Sequence, residues 1–104
     1  MPSSTVFMKI KSNVAPELDA EFNRWYNEEH VPQHLEFHGT VSARRYQFVE
    51  SPDRFKYLAV YEYENQTALQ RWLESERRKE LIVDHRTRFK TIDSSREIVI
   101  PIWP

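Results

Sequence analysis

Apolar and polar residues alternate from Thr5 to Lys11, with Val6, Met8 and Ile10 on one side and Thr5, Phe7, Lys9 and Lys11 on the other. A period of two predicts a strand with two unequal faces. After a turn at Ser12–Pro16 the period changes. Leu18, Phe22 and Trp25 recur at spacings of four and three, which predicts an amphipathic helix from Pro16 to about Glu29. Pro16 suits the first helical position, and Glu17 and Asp19 suit the positive N-terminal end. At about 100° per residue, Glu29 falls within roughly 20° of Leu18 and continues the apolar stripe. Tyr26 lies at the edge of the same face. Val31-Pro32 is expected to break the helix, because the residue before a proline disfavours helical angles. Pro32 to Phe37 reads as a further short helical turn carrying His34 and Leu35.

The alternation then returns. Val41 to Glu50 and Phe55 to Glu64 read as two strands of a hairpin turning at Ser51-Pro52-Asp53-Arg54, where proline suits the turn. Ala43, Arg45 and Gln47 share one face of the first of these strands; Ser42, Arg44, Tyr46 and Phe48 share the other. Phe55, Tyr57, Ala59, Tyr61 and Tyr63 line one face of the second. From Thr67, a possible N-cap, Leu69, Trp72 and Leu73 restore helical spacing, and Leu81, Ile82, His85 and Phe89 continue it through a charged run. Thr67 to Phe89 is expected to be one broken helix or two short ones. Arg96 to Trp103 alternates again as a last strand. The order strand, helix, strand, strand, helix, strand predicts an α+β, ferredoxin-like βαββαβ domain over residues 1–104, its four-stranded antiparallel sheet carrying helices on one face. Both faces of the third strand are largely apolar, so the face away from the helices is expected to be covered, most simply by a second copy, sheet against sheet.

Composition narrows the function classes. The 104 residues suit one domain. Hydrophobic residues make up 39% and aromatic residues 13%, enough for a packed core and against disorder. Fifteen basic and sixteen acidic side chains nearly cancel, which argues against nucleic acid or an anionic membrane as the main partner. Without cysteine there is no disulfide framework and no thiolate chemistry. The single glycine, Gly39, rules out a glycine-rich phosphate loop. No export signal is visible at Met1–Thr5, and no run approaches the roughly 20 apolar residues that span a bilayer. A cytoplasmic location is the expectation.

Chemistry-bearing residues gather at the end of the first helix. The stretch Glu21-Phe22-x-x-Trp25-Tyr26-x-x-Glu29-His30-Val31-Pro32, followed by Ser42-Ala43-Arg44-Arg45-Tyr46 and Lys56-Tyr57-Leu58-Ala59-Val60-Tyr61-Glu62, resembles the EthD-like branch of the dimeric α/β-barrel superfamily. The resemblance implies a homodimer with a pocket in each subunit between helices and sheet. Relatives include lactone isomerases, polyketide cyclases and decarboxylases, monooxygenases that need no metal or flavin, and haem-handling proteins. The histidine of the signature falls on His30, and in some enzymatic relatives a histidine in this region is an acid or base.

His30 titrates near neutrality when unperturbed, although a cation at the end of a helix also serves to cap it. Glu29, on the apolar stripe, is either a base with a raised pKa or the partner of Arg44 or Arg45 in a buried ion pair. Tyr46, Tyr57 and Tyr61 alternate on paired strands, where one of them could hold an enolate oxygen or simply pack. The expected catalytic set is therefore His30, Glu29 and Tyr46. Trp25, Tyr26, His34, Arg44, Tyr57, Tyr61, Trp72 and His85 are the expected binding residues, although Trp25, Tyr26 and Trp72 also suit plain packing and His85 a solvated helix end. His30, His34 and His38 recur every four residues, but Pro32 and Gly39 are expected to interrupt the helix that would align them on a metal, so no metal is assigned. The expectation is a small enzyme needing no cofactor, acting as an isomerase, cyclase or lyase on a small hydrophobic, carbonyl-containing metabolite. The alternatives are a non-catalytic carrier or sensor, or a haem-binding protein.

Overall fold

A computed structural model describes residues 5–103; Met1–Ser4, in which no export signal is expected, and Pro104 lie outside them. The elements are β1 (Val6–Asn13), α1 (Asp19–Trp25), α2 (Val31–Leu35), β2 (Thr40–Gln47), β3 (Tyr57–Tyr63), α3 (Gln66–Glu74), α4 (Glu76–Arg88) and β4 (Asp93–Val99). The strands form one antiparallel sheet in the order β2-β3-β1-β4. With the helices gathered on one face, this is the ferredoxin-like α+β arrangement expected from the order of elements.

Strand alternation sorts the sheet into two faces. Val6, Met8 and Ile10 of β1 and Tyr57, Ala59, Tyr61 and Tyr63 of β3 face the helices. All of these but Ile10 are buried in the core with Phe22, Trp25, Tyr26, Leu69, Trp72, Leu81 and Phe89, and Ile10 packs against its edge. Each large apolar side chain enclosed in this way contributes about 1.5–3 kcal/mol. The other face is mixed. Phe7, Leu58 and Val60 form an apolar strip, flanked by Lys9 and Lys11, each within 4 Å of Glu97, and by Ser42, which donates to Glu62 (3.0 Å).

The first helical region departs from its predicted form. A single 3₁₀ turn at Pro16–Leu18 leads into α1, and Tyr26–His30 forms a π-turn before α2. Here Val31 N–H donates to the Tyr26 carbonyl five residues back. The expected break at Val31-Pro32 is therefore absent. Proline lacks an N–H and collides with the carbonyl four residues before it; the wider turn removes both conflicts, and the helix runs on to Leu35 with Pro32 inside it.

Gly39, at φ 103°, turns the chain into β2. An added Cβ there would lie 2.9 Å from the Ala68 Cβ, so only glycine fits both the angle and the contact. The second helical region is two helices, split at Ser75. Its hydroxyl donates to the Trp72 carbonyl (2.8 Å) and accepts from Arg78 N–H (3.1 Å), closing one helix and capping the next. Asn65, rather than Thr67, caps α3, accepting from Ala68 N–H (2.8 Å). β4 begins at Asp93, three residues before the expected Arg96, and ends at Val99. Its pairing with β1 sets the start, at Asp93 opposite Asn13.

Candidate active site

Between the helices and the sheet lies a cavity of about 440 Å³, within the usual range for small-molecule sites. Met8 and Ile10 of β1 and Tyr61 of β3 form its floor. Tyr26, His30 and His34 enter from the first helical region, and Trp72 from α3. Arg78, Leu81, Ile82, His85 and Arg86 enter from α4, and Ser94, Ser95 and Arg96 from β4, with Ile92 just before it.

The π-turn decides which side chain of the first region reaches this space. It adds one residue to a turn, so residues five apart lie above one another. His30 accordingly stacks on Trp25, with centroids 4.7 Å apart and planes 17° from parallel, and meets the edge of Tyr26 at 4.9 Å. His30 takes the inward place expected for Glu29. Glu29 is half exposed and pairs with Arg88 of α4 (3.3 Å), not with Arg44 or Arg45. At that exposure the pair contributes no more than about 1 kcal/mol. Arg45 lies instead over the ring of Tyr26, at 4.2 Å from its centroid, and donates to Asn27 (3.0 Å).

Three imidazoles line the cavity. His34 is stacked on Tyr61 (3.7 Å) and tilted against Trp72 (4.1 Å), and its Nε2 is hydrogen-bonded to the Tyr63 hydroxyl. The His85 ring is 5.4 Å from that of His30. Burial is the main cause of a lowered pKa in all three: about 3 for His30, helped by His85 and Arg45; about 2 for His34, helped by His30 and Arg78; and about 4 for His85, helped by Arg86. All three are neutral at pH 7. His30 Nδ1, His34 Nδ1 and His85 Nε2 are buried without hydrogen-bond partners. Such groups are rare in native proteins and call for a ligand or water. Beside them, the Tyr61 hydroxyl donates to that of Tyr26 (3.3 Å). Burial raises both phenol pKa values, so both remain protonated donors.

The cavity thus brings together His30, Tyr26, His34, Tyr61, Trp72 and His85 from the expected residues. Five others lie elsewhere: Glu29, at its pair with Arg88, and Tyr46, Arg44, Tyr57 and Trp25. Tyr46 and Arg44 project from β2 on the sheet face away from the helices, opposite Leu58 and Val60, and are exposed. Their positions alternate with the inward Ala43 and Arg45, so Tyr46 cannot share a site with His30 in one subunit. The Tyr57 hydroxyl donates to both carboxylate oxygens of Asp19 (2.8 and 2.9 Å), fastening α1 to β3 outside the cavity. Trp25 is buried behind His30, among Phe22 and Phe89, and backs the imidazole without lining the cavity. The reason given against a His30–His34–His38 alignment also needs correcting, since the helix is continuous through His34. His38 lies beyond its end and is exposed, and no group of three or more His, Cys, Asp or Glu able to hold a metal occurs among the described residues. Arg78 and Arg96 were not expected at the site. The legible signal for Arg96 was its parity with Ile98 on a strand whose inward face carries Ser94.

A family model described as a domain of unknown function, DUF4286, matches residues 5–96. No curated protein matches the chain. Among solved structures, an EthD family protein from Bacillus halodurans has a TM-score of 0.72 at 17% identity, covering 94% of this chain and 98% of its own. A ferredoxin-like DABB family protein from Mesorhizobium loti has a TM-score of 0.73 at 9% identity, covering 95% and 98%. A hydroxynitrile lyase from Passiflora edulis has a TM-score of 0.70 at 10% identity, covering 99% and 100%. At these identities the likeness is one of fold, and it bears out the EthD-like resemblance at that level.

Proposed function

This chain belongs to the DUF4286 family, a domain of unknown function, and on that premise we propose that it is a small enzyme that moves a proton on a hydrophobic, carbonyl-containing metabolite without a bound cofactor. The observation that carries this reading is the neutral, unbonded imidazole of His30 in one cavity with the paired hydroxyls of Tyr26 and Tyr61. His30 takes a proton from the carbon next to the substrate carbonyl. The electron pair of that C–H bond becomes the C=C bond of an enolate, and the Tyr26 hydroxyl, which accepts from Tyr61, donates its own proton in a hydrogen bond to the enolate oxygen. Returning the proton to another carbon gives isomerisation; where the enolate's electron pair instead expels a group from the neighbouring carbon, breaking that bond, His30 returns the proton to the departing group and the result is cleavage. A negative charge forming beside His30 opposes the effect of Arg45 and His85, so its basicity rises as the enolate forms. Glu29 and Tyr46 have no part in this step. A lyase of the same fold, the Passiflora edulis hydroxynitrile lyase, supports the reading only as an example. The molecule is proposed to act as a homodimer, with the open sheet faces together.

Replacing His30 by Gln keeps a planar group on Trp25 and removes the base. Turnover should fall by about a hundredfold or more while the circular dichroism spectrum stays unchanged. Near-normal turnover in that folded variant rejects the role. A carrier or sensor is the second reading, favoured because three histidines this far below neutrality supply no resting acid at pH 7. Recovery of a bound ligand unchanged, for every ligand that binds, would establish it.

A further inference from the structure

The charges around the cavity are unevenly distributed. The chain as a whole has a net charge of −1, and it pairs most of its cations. Lys9, Lys11, Arg24, Arg54, Lys56, Arg77, Lys79 and Arg88 each have a carboxylate within 4 Å. The cavity breaks this pattern. Arg78, Arg86 and Arg96 line it, and no carboxylate does. Arg86 and Arg96 make no hydrogen bond or ion pair among the described residues. Arg78 only donates to the Leu73 carbonyl (3.2 Å), across the break between α3 and α4. The carboxylates that neighbour this region, Glu29 and Asp84, both turn to Arg88 (3.3 and 3.4 Å). Burial, then Arg96 and Arg86, hold the Arg78 pKa below its ordinary value. Three guanidinium groups therefore share one cavity without a counter-charge, while Trp72, Leu81, Met8 and Ile10 add apolar surface to the same lining.

Guanidinium groups left unpaired at a cavity match oxyanions, which they bind through paired N–H donors. We propose that the cavity takes an organic oxyanion, a carboxylate or phosphate monoester on an aromatic or otherwise apolar body, with its charged end among Arg78, Arg86 and Arg96. The inference rests on the cavity being a small-molecule site, and it narrows the substrate class from any hydrophobic carbonyl compound to an acidic one. The oxyanion anchors the molecule at the α4–β4 end, and the reacting carbon then lies toward His30 and the tyrosine pair.

Calorimetric titration of the full-length protein with matched pairs tests this. Benzoate and benzamide, cinnamate and cinnamamide, and 1-naphthoate and 1-naphthamide differ in charge at nearly constant shape, and 1-naphthyl phosphate gives the phosphate arm. In at least one pair the anion should bind tenfold or more tighter than the amide at low salt, and the preference should shrink as salt rises. Arg86→Gln and Arg96→Gln remove exposed, unbonded groups. Each should weaken anion binding several-fold and leave amide binding unchanged. If the phosphate is the preferred anion, the ligand is a phosphate ester; if the carboxylate, an acid. Amides that bind as tightly as their acids overturn the inference and leave the small-molecule site standing. A preference that survives intact in the double variant also overturns it. No binding by any compound rejects the site and the inference together. The role of His30 is separable, since His30→Gln should lower turnover by about a hundredfold or more while preserving the ratio of acid to amide affinity.

Discussion

His34 is 3% exposed, enclosed between Tyr61 and Trp72 and hydrogen-bonded to Tyr63. Its pKa, lowered to about 2, makes it an acid-stability determinant. On unfolding, the imidazole regains its ordinary pKa of about 6.5, so the unfolded chain takes up the proton first. Stability is complete above about pH 6.5 and is lost as the pH falls from there toward the folded value, by up to about 1.4 kcal/mol per pH unit for this one group. His34→Gln should flatten the acid limb of a plot of unfolding free energy against pH by about that slope, whatever it does at pH 8. Urea titrations from pH 4 to pH 8 measure it, and an unchanged slope would show that the folded-state pKa of His34 is not lowered. The sequence placed His34 near the site but did not reveal its burial. That depends on Tyr61 and Trp72, which lie 27 and 38 positions further on and meet it only through the fold. His30 was legible through its family signature. Arg96 was not, because parity along β4 says which side faces inward but not that the inward side there borders a cavity.

At the scale of the element, the π-turn does most to shape the site. A strict 3.6-residue period directs Glu29 inward, and one additional residue in the turn replaces it with His30. The sequence holds one trace of this, Pro32, which a regular helix continuing to Leu35 could not accommodate. Deleting Glu28, an exposed residue of the turn, restores a regular helix and brings Trp25 and His30 to a spacing of four. Pro32 then meets the carbonyl four positions back, at a cost of about 3 kcal/mol. In a Pro32→Ala background the same deletion should cost far less, with the difference read from urea unfolding midpoints. Equal losses in both backgrounds would show that the turn does not serve to hold the proline. Elsewhere the elements were legible because each carries its own period and punctuation. The errors fall at ends set by partners: β4 begins where Asn13 offers a pairing position, and α3 begins where Asn65 reaches Ala68 N–H.

At the scale of the whole molecule, the proposed dimer rests on the open sheet face. Phe7, Leu58 and Val60 are only partly covered, Tyr46 is 48% exposed, and Ile102 and Trp103 beyond β4 are 93% and 87% exposed. The proposed sheet-to-sheet dimer covers the central strip. Val60→Glu places a carboxylate beside Lys9 and near Arg44, its neighbours across the two ladders, so the monomer tolerates it while the strip loses its apolar centre. Sedimentation should show a dimer for the parent chain and a monomer for this variant, with folded circular dichroism in both. A parent chain that sediments as a monomer rejects the assembly. The strand order has a further consequence, in time. β1 precedes β3 and β4 along the chain, yet it lies between them, so one of its edges has no partner until β4 has been synthesised. A nascent chain stalled within α4 exposes that edge, with the inward side chains of Met8 and Ile10 along it, and unpaired edges of this kind recruit other strands. Any delay between α4 and β4 therefore prolongs the exposure of this edge.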